Sequence, residues 1–177
     1  ALLMAQAARI LGIPVLGTEQ NPQGLGPNGD AIRAACQTTL SKTHFDACED
    51  GLLDVLARVR QTAPQPHQPA GRQVDRPTAP ANNPALTKAI NQVVLAGCEA
   101  HVCLLQTALG LLRAGLRVWV VANACGSRRA SDHAQAMQRL AQAGATLVTH
   151  EMVLFEWLHD CRHPRFREVL GLIKAAG

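Results

Sequence analysis

The stretch 93–106, VVLAGCEAHVCLLQ, joins a very apolar run to a short turn at Gly97 and then to an apolar helical pattern that begins at Cys103. The first part predicts a buried β-strand at 92–96, and the spacing that follows predicts an α-helix at 103–114. A strand that passes through a glycine turn into a helix is typical of parallel sheets. The stretch therefore places Cys103 in the first turn of a helix, beside the carboxyl end of a strand, where doubly wound sheets bind ligands.

The same alternation of short apolar runs and helical patterns continues along the chain. Further strands are predicted at 14–18, 38–42, 117–122 and 145–149, and further helices at 1–11, 51–61, 131–143, 151–158 and 164–174. The pattern predicts an α/β fold of three layers, in which helices cover both faces of a doubly wound, mostly parallel sheet. Residues 1–177 are expected to form a single domain. A proline-rich segment at about 62–83 is interpreted as a mobile insertion in this domain, in preference to a catalytic lid.

The composition excludes several classes of protein. The chain is 47% hydrophobic and 17% charged, which suffices for one packed core, but its apolar runs fall far below the roughly 20 residues that span a bilayer. Aromatic residues make up 3% of the chain, and its 17 basic and 13 acidic residues are interspersed. Base-stacking platforms and phosphate-neutralising stripes are therefore not expected. A membrane-spanning protein is excluded, and nucleic-acid binding is disfavoured.

The six cysteines show no regular spacing and no CxxC pair, and the histidines are scattered. A disulfide framework and a structural zinc site are therefore not expected, and the thiols favour a reducing compartment, which we take to be the cytoplasm. The segment 24–29, GLGPNG, matches the dinucleotide-binding pattern GxGxxG. However, it does not directly follow a strand, and Pro27 prevents the tight turn that a dinucleotide needs. No cofactor is expected.

Cys103 is the best candidate for a nucleophile. The unpaired amides and the macrodipole at a helix N-terminus favour the thiolate form of a cysteine placed there. The alternative is a small buried side chain, since cysteine is among the most buried residue types, and both interpretations stay open. Cys98 could compete for the role, but it lies in the turn.

Four other side chains lie near predicted strand ends and could join Cys103. Lys42 would hold a carboxylate or a developing oxyanion, with an ordinary solvated lysine as the alternative. His44 and His101 could each form a Cys–His pair suited to a hydrolase, although a local hydrogen-bonding role is the simpler interpretation. Glu19 either faces the cleft or caps a loop.

Four blocks of the chain, taken together and in order, resemble a known family. They are 18–27 TEQNPQGLGP, 40–45 LSKTHF, 93–128 VVLAGCEAHVCLLQTALGLLRAGLRVWVVANACGSR and 163–174 HPRFREVLGLIK. The chain is similar to the isochorismatase-like cysteine hydrolases, and most of all to the branch of isochorismatase domain-containing proteins and mitochondrial-associated ribonucleases. The resemblance covers almost the whole chain except the proline-rich segment.

The resemblance implies a site in which an aspartate, a lysine and a cysteine act together on amide-like bonds. Matching motif positions assign the nucleophile to Cys103 and the lysine to Lys42. The resemblance also implies a cis peptide bond between Cys98 and Glu99, with the backbone amides of Glu99 and Cys103 forming an oxyanion hole. The metal-binding members carry an aspartate and histidines after the second strand, a pattern that this sequence lacks, so no metal is expected.

The family's aspartate belongs to a first, central strand that the resemblance places before Ala1, between the strands at 14–18 and 92–96. Without that strand, two apolar strand edges would be unpaired inside the protein. We therefore expect further residues before Ala1. A mitochondrial location stays open beside the cytoplasmic one for the same reason.

The sequence thus predicts a hydrolase of the isochorismatase-like family that acts on a small, amide-like substrate through Cys103, Lys42 and an upstream aspartate. One alternative is a catalytically silent, oligomeric scaffold of the same fold. Another is a ribonuclease-like activity, as some relatives are named. Because members of the family usually self-associate, a homo-oligomer is expected.

Overall fold

The computed structural model describes residues 1–62 and 91–176. Its helices are α1 (Leu2–Ile10), α2 (Pro22–Leu25), α3 (Asp30–Ala35), α4 (Leu52–Thr62), α5 (Leu105–Arg113), α6 (Ala130–Gln142), α7 (His150–Leu158) and α8 (Phe166–Ala176), and its strands are β1 (Leu16–Gln20), β2 (Thr38–Lys42), β3 (Gln92–Cys98), β4 (Arg117–Gly126) and β5 (Thr146–Val148). A 3₁₀ turn at Ala47–Asp50 precedes α4, and a π-helical turn at Ala100–Leu104 leads from β3 into α5. This alternation confirms the predicted α/β class. The proline-rich segment predicted at about 62–83 lies, apart from Thr62, outside the described residues.

Every strand pairing in the described ranges is parallel, and the strands form two sheets. Strand β1 pairs with β2, whereas β3, β4 and β5 pair in that order. The break falls between β1 and β3, the two strands whose inner edges the sequence analysis expects to be unpaired. Lys42 ends β2 and Cys98 ends β3, so both residues lie at carboxyl ends of parallel strands, where sites form in α/β proteins.

Strand β4 separates two apolar layers. Val118 and Val120 pack into a core that also contains residues of α5 and α6, whereas Trp119 and Val121 pack against α1, α7 and α8. Successive residues of a strand point to opposite faces of a sheet, which explains this division. Helices therefore cover both faces of the β3–β4–β5 sheet, and the predicted three-layer arrangement is confirmed.

Some boundaries differ from the predicted ones. Strand β1 lies two residues further along than the strand predicted at 14–18, and α2 and α3 lie between β1 and β2, where no helix is predicted. Helices as short as these show no periodic apolar pattern, so the sequence does not reveal them. Cys103 lies in the π-helical turn and not in the first turn of the regular helix α5.

Helix α7 has a buried and an exposed apolar side. Leu154 and Leu158 are buried, whereas 48% of Met152 and 42% of Phe155 is exposed. Single exposed apolar side chains are common on protein surfaces. None of the helices in residues 1–62 and 91–176 is long and apolar enough to cross a membrane.

The 3₁₀ turn is fastened to α5 through the buried carboxylate of Asp46. This carboxylate accepts hydrogen bonds from the backbone N–H of Cys48 at 2.9 Å and from Arg113 Nη2 at 2.8 Å. It lies directly against the backbone of Gly110, and a Cβ atom at position 110 would overlap both carboxylate oxygens. The close approach therefore requires glycine at this position of the helix.

Gly110→Ala should destabilise the protein although alanine favours helices. Asp46 is short, buried and held at both oxygens, so the added methyl group must displace it. We expect the free energy of unfolding, measured by urea denaturation, to fall by about 1–3 kcal/mol, as is usual for overpacking.

Gly171→Ala in α8 is the matched control, because a Cβ atom there meets nothing within 4 Å. This variant should gain up to about 1 kcal/mol from helix propensity. A Gly110→Ala protein as stable as the Gly171→Ala protein would contradict the packing described here.

Candidate active site

The carboxyl ends of β1 and β2 bring Gln20 and Lys42 side by side. The two residues are partners in the parallel register of these strands. Lys42 is buried, with 4% of its surface exposed. Burial of an ammonium ion is tolerated only where the chain supplies acceptors for its N–H groups. The position therefore has to be surrounded by oxygen atoms.

The Lys42 ammonium group has an acceptor for each of its N–H donors. It donates to Gln20 Oε1, to the backbone carbonyl of His44 at 3.0 Å and to the backbone carbonyl of Phe45 at 3.2 Å. A lysine has three donors, so this set satisfies the group fully. Lys42 is thus a fixed, buried positive charge, in contrast to the solvated lysine that the sequence left open.

Cys103 also bonds to the amide oxygen of Gln20. Its Sγ donates to Gln20 Oε1 at 3.7 Å, a normal length for a thiol hydrogen bond, and the residue is half-buried. Because Lys42 Nζ and Cys103 Sγ both bond to one oxygen atom, the ammonium group and the thiol lie close together. The structure therefore brings together the two residues to which the sequence analysis gives the main chemical roles.

Gln20 is the residue that sequence reasoning missed. Its Oε1 accepts from Lys42 and from Cys103, and its Nε2 donates to the backbone carbonyl of Thr43 at 2.5 Å. The strand is predicted to end at residue 18, which leaves Gln20 outside it. A strand extended by two residues would have placed Gln20 and Glu19 on opposite faces of the sheet, and this alternation was the available signal.

The peptide bond between Cys98 and Glu99 is cis, as the resemblance implies. The carboxylate of Glu99 points towards the loop after β4, where it accepts a hydrogen bond from the backbone N–H of Arg128 at 3.0 Å. Its Oε2 also lies 3.5 Å from Arg128 Nε. The side chain of Glu99 is therefore occupied by this loop, and only its backbone amide is considered for the site.

Glu19 lies on the other face of β1 from Gln20 and holds the loop that follows the strand. Its Oε1 accepts from the backbone N–H of Asn28 at 2.9 Å and lies 3.7 Å from Arg33 Nε. The side chain is almost fully buried by these contacts. This geometry corresponds to the loop-capping role that the sequence left open beside a role in the cleft.

His44 contributes its backbone, not its imidazole, to the contacts of Lys42. The ring is exposed, and its Nδ1 lies 3.0 Å from Asp50 Oδ1, while Asp50 Oδ2 accepts from the backbone N–H groups of Thr43 and His44. The hydrogen bond to Asp50, and then its charge, raise the pKa of His44 above its ordinary value. The same bond lowers the pKa of Asp50. Asp50 thus fixes the loop from its outer side.

The His101 ring contacts the loop after β4 and the start of α6. Its Nδ1 lies 3.0 Å from Ser127 Oγ, and its Nε2 lies 3.9 Å from Asp132 Oδ2. These contacts connect the π-helical turn to the loop after β4. The structure therefore gives His101 the local hydrogen-bonding role and does not bring it to the thiol of Cys103.

The model of the Isochorismatase domain family matches residues 84–152 of this chain. Isochorismatase domain-containing protein 2 of Bos taurus is 35% identical over 174 residues, which are 98% of this chain and 71% of that protein. The chain belongs to the isochorismatase family. The resemblance drawn from the four sequence blocks is thereby confirmed.

Solved structures agree with this family. The MAR1 ribonuclease from Caenorhabditis elegans is 33% identical, with a TM-score of 0.74 over 98% of this chain and 77% of that chain. The YcaC gene product from Escherichia coli, an octameric hydrolase of unknown specificity, is 21% identical, with a TM-score of 0.69 over 99% of this chain and 81% of that chain. The second likeness concerns the fold alone. Both confirm that the described strands and helices follow the isochorismatase-like architecture.

Three other thiols of this family member are poorly suited to nucleophilic chemistry. Burial raises the pKa of Cys48 to about 12, with a further contribution from the charge of Asp46. Burial also raises the pKa of Cys125 to about 11. The pKa of Cys36 is raised by burial and by Glu19. A thiol with a raised pKa holds little thiolate at neutral pH, so these residues do not compete with Cys103.

The acidic groups around the site are each engaged with a different partner. Glu19 holds Asn28, Asp50 holds His44, and Glu99 holds the backbone of Arg128. In the two ranges that the structure describes, no three His, Cys, Asp or Glu side chains form a group that could hold a metal ion. A metal-independent site stays a prediction.

Asp50→Asn should lower the pKa of His44 towards its ordinary value of about 6.5, because it replaces the charged acceptor that favours the imidazolium ion with a neutral amide. The pair in the wild-type protein stabilises the loop fully only between about pH 4 and 6.5. Above this window His44 loses its proton at its raised pKa, and below it Asp50 gains one at its lowered pKa. NMR titration of the His44 ring measures the change, with the other histidines as internal controls. An unchanged pKa in the variant would contradict the described pair.

Proposed function

We propose that the protein is a hydrolase that cleaves a small, amide-like substrate with the thiolate of Cys103. The support for this proposal is one observation: Lys42 Nζ and Cys103 Sγ bond to the same oxygen of Gln20. A buried, fixed positive charge beside a half-buried thiol favours the thiolate, which is the reactive form of a cysteine nucleophile. The membership of the family is consistent with hydrolysis.

The reaction begins with removal of the Cys103 proton. Gln20 accepts the thiol hydrogen bond, but a neutral amide is too weak a base to keep a proton. The resemblance assigns this role to an aspartate before Ala1, and we include that aspartate in the proposal. The thiolate then attacks the substrate carbonyl, the C–N bond breaks, and the aspartic acid returns the proton to the leaving amine. Attack of water on the thioester releases the carboxylic acid and restores the thiol.

Lys42 acts in this scheme through its charge. Each of its N–H donors already has an acceptor in the protein, so it does not have to reorganise when negative charge develops on sulfur or on the substrate oxygen. Preorganised charges of this kind are among the strongest contributors to catalysis. In the proposal, the backbone amides of Glu99 and Cys103 hold the substrate oxygen directly.

The assembly and the substrate class are also proposals. The octameric state of the Escherichia coli YcaC gene product and the usual behaviour of the family support a homo-oligomer. A ribonuclease-like activity is the second candidate, because the similar Caenorhabditis elegans structure is a ribonuclease. Its scattered charges and an aromatic content of 3% make this chain a poor match for RNA. RNA binding that weakens steeply with added salt would favour the second candidate.

Cys103→Ala should lower turnover by at least about a thousandfold, because it removes the only atom that forms a bond to the substrate. The measurement is the release of amine or alcohol from a panel of small amides and esters. Cys161→Ser, at an exposed thiol, is the control and should retain wild-type turnover. Wild-type turnover by the Cys103→Ala protein on every responsive substrate would refute the proposal. A wild-type protein inactive on the whole panel would favour the silent scaffold.

Lys42→Met should shift iodoacetamide labelling of Cys103 to higher pH, since it removes the positive charge that favours the thiolate. The rate at each pH is read by mass spectrometry of the Cys103 peptide. Lys42→Arg retains the charge and should shift the profile less. Circular dichroism confirms that each variant is folded. Identical labelling profiles for the wild-type and Lys42→Met proteins would show that the ammonium group does not act on the sulfur.

A further inference from the structure

Thr107 lies on α5, the helix that follows the Cys103 turn, and its side chain is buried, with 7% exposed. Its hydroxyl group makes two hydrogen bonds to the loop after β2. It donates to the backbone carbonyl of Phe45 at 3.3 Å and accepts from the backbone N–H of Ala47 at 3.0 Å. Thr107 is four residues after Cys103, and α5 continues directly from the π-helical turn that contains Cys103.

The carbonyl of Phe45 receives two donors from different parts of the fold. One is Thr107 Oγ1, and the other is Lys42 Nζ at 3.2 Å. The ammonium group that the proposed function requires is therefore held by a carbonyl that is itself held from α5, the helix that follows the turn with Cys103. This carbonyl connects the position of Lys42 to the position of Cys103 by a route separate from Gln20.

A second fastening lies one residue further along the same loop. Asp46 accepts from Arg113 Nη2 at 2.8 Å, and 65% of the Arg113 side chain is exposed. This ion pair fixes the 3₁₀ turn, but it does not involve the carbonyl of Phe45. Loss of Arg113 therefore weakens the attachment of the loop without altering the contact between Thr107, Phe45 and Lys42.

We infer that Thr107 is a positioning residue that sets the place of the Lys42 ammonium group relative to the Cys103 sulfur. The inference rests on the proposed function, in which this charge favours the thiolate. Thr107 touches neither the thiol nor the ammonium group and acts through the Phe45 carbonyl. The hydrogen bond from Thr107 to Phe45 joins two neutral groups, so it affects the distance between Lys42 Nζ and Cys103 Sγ and adds no charge to the site.

Thr107→Val is the decisive variant, because valine keeps the shape of threonine and lacks the hydroxyl group. The change leaves the buried N–H of Ala47 without its acceptor and the Phe45 carbonyl with Lys42 alone. The loop must then move to find other partners, and Lys42 moves with it. Thr107→Ser keeps both hydrogen bonds and serves as the conservative control. Neither variant alters the charges of Lys42, His44, Asp46 or Asp50.

The experiment measures iodoacetamide labelling of Cys103 against pH, together with kcat and KM on a responsive amide. Thr107→Val should slow labelling at neutral pH by about tenfold and should lower kcat more than it changes KM. The reason is that even a small displacement of the Lys42 ammonium group from the Cys103 sulfur lowers the reaction rate. Thr107→Ser should restore both values to near those of the wild type. Arg113→Gln should lower the free energy of unfolding but leave the labelling profile unchanged.

Two results would overturn the inference. One is a Thr107→Val protein with the wild-type labelling profile and kcat. The other is an Arg113→Gln protein that slows labelling as much as Thr107→Val does, which would show that general attachment of the loop is responsible. Labelling requires no substrate, so it tests Thr107 even if the protein hydrolyses no amide. Failure of the proposed function would instead appear as unchanged turnover in Cys103→Ala.

Discussion

The ammonium group of Lys42 is buried between β1, β2 and the loop after β2, and its burial requires these elements to be arranged around it. Lys42 is almost completely removed from solvent, and the chain must supply oxygen atoms for all of its N–H groups. These come from the side chain of Gln20 on β1 and from the carbonyls of His44 and Phe45 in the loop after β2. Strand register, loop conformation and the attachment of that loop to α5 all serve this one requirement. The thiol of Cys103 is a second hydrogen-bond donor to the Gln20 oxygen that also accepts from Lys42.

The larger features could be predicted because they arise from regular patterns. Alternating apolar residues place Val120 and Val121 in different layers. The strand that precedes Cys103 is a continuous apolar run whose side chains pack against both layers, although they are only partly buried. The carboxyl ends of parallel strands meet at one edge, so Lys42 and Cys103 were expected near each other from their positions alone. The sequence therefore predicts the edge of the sheet at which the site lies and its two most reactive side chains, Lys42 and Cys103.

The remaining features depend on conformations that residue types do not encode. Gln20 was missed because a strand boundary moved by two residues, which is enough to exchange loop for sheet and to assign one face to Gln20 and the other to Glu19. His44 was considered for its imidazole, whereas the structure uses its carbonyl, an atom that every residue possesses. His101 was singled out because it lies near a predicted strand end, but its ring bonds to Ser127, which corresponds to the local hydrogen-bonding role that the sequence left open. Backbone atoms and side-chain directions of this kind follow from three-dimensional packing.

Phe45 combines a fixed backbone carbonyl with an exposed apolar side chain. Its carbonyl is fixed by Lys42 and Thr107, while 49% of the residue faces solvent. The side chain at position 45 can therefore vary without loss of the hydrogen bonds to the carbonyl, since every amino acid has the same backbone oxygen. Mutation at position 45 can change the surface beside Lys42 during evolutionary divergence, while the three oxygen acceptors of Lys42 are retained. Selection can therefore change what this surface recognises while the acceptors of the Lys42 ammonium group stay the same.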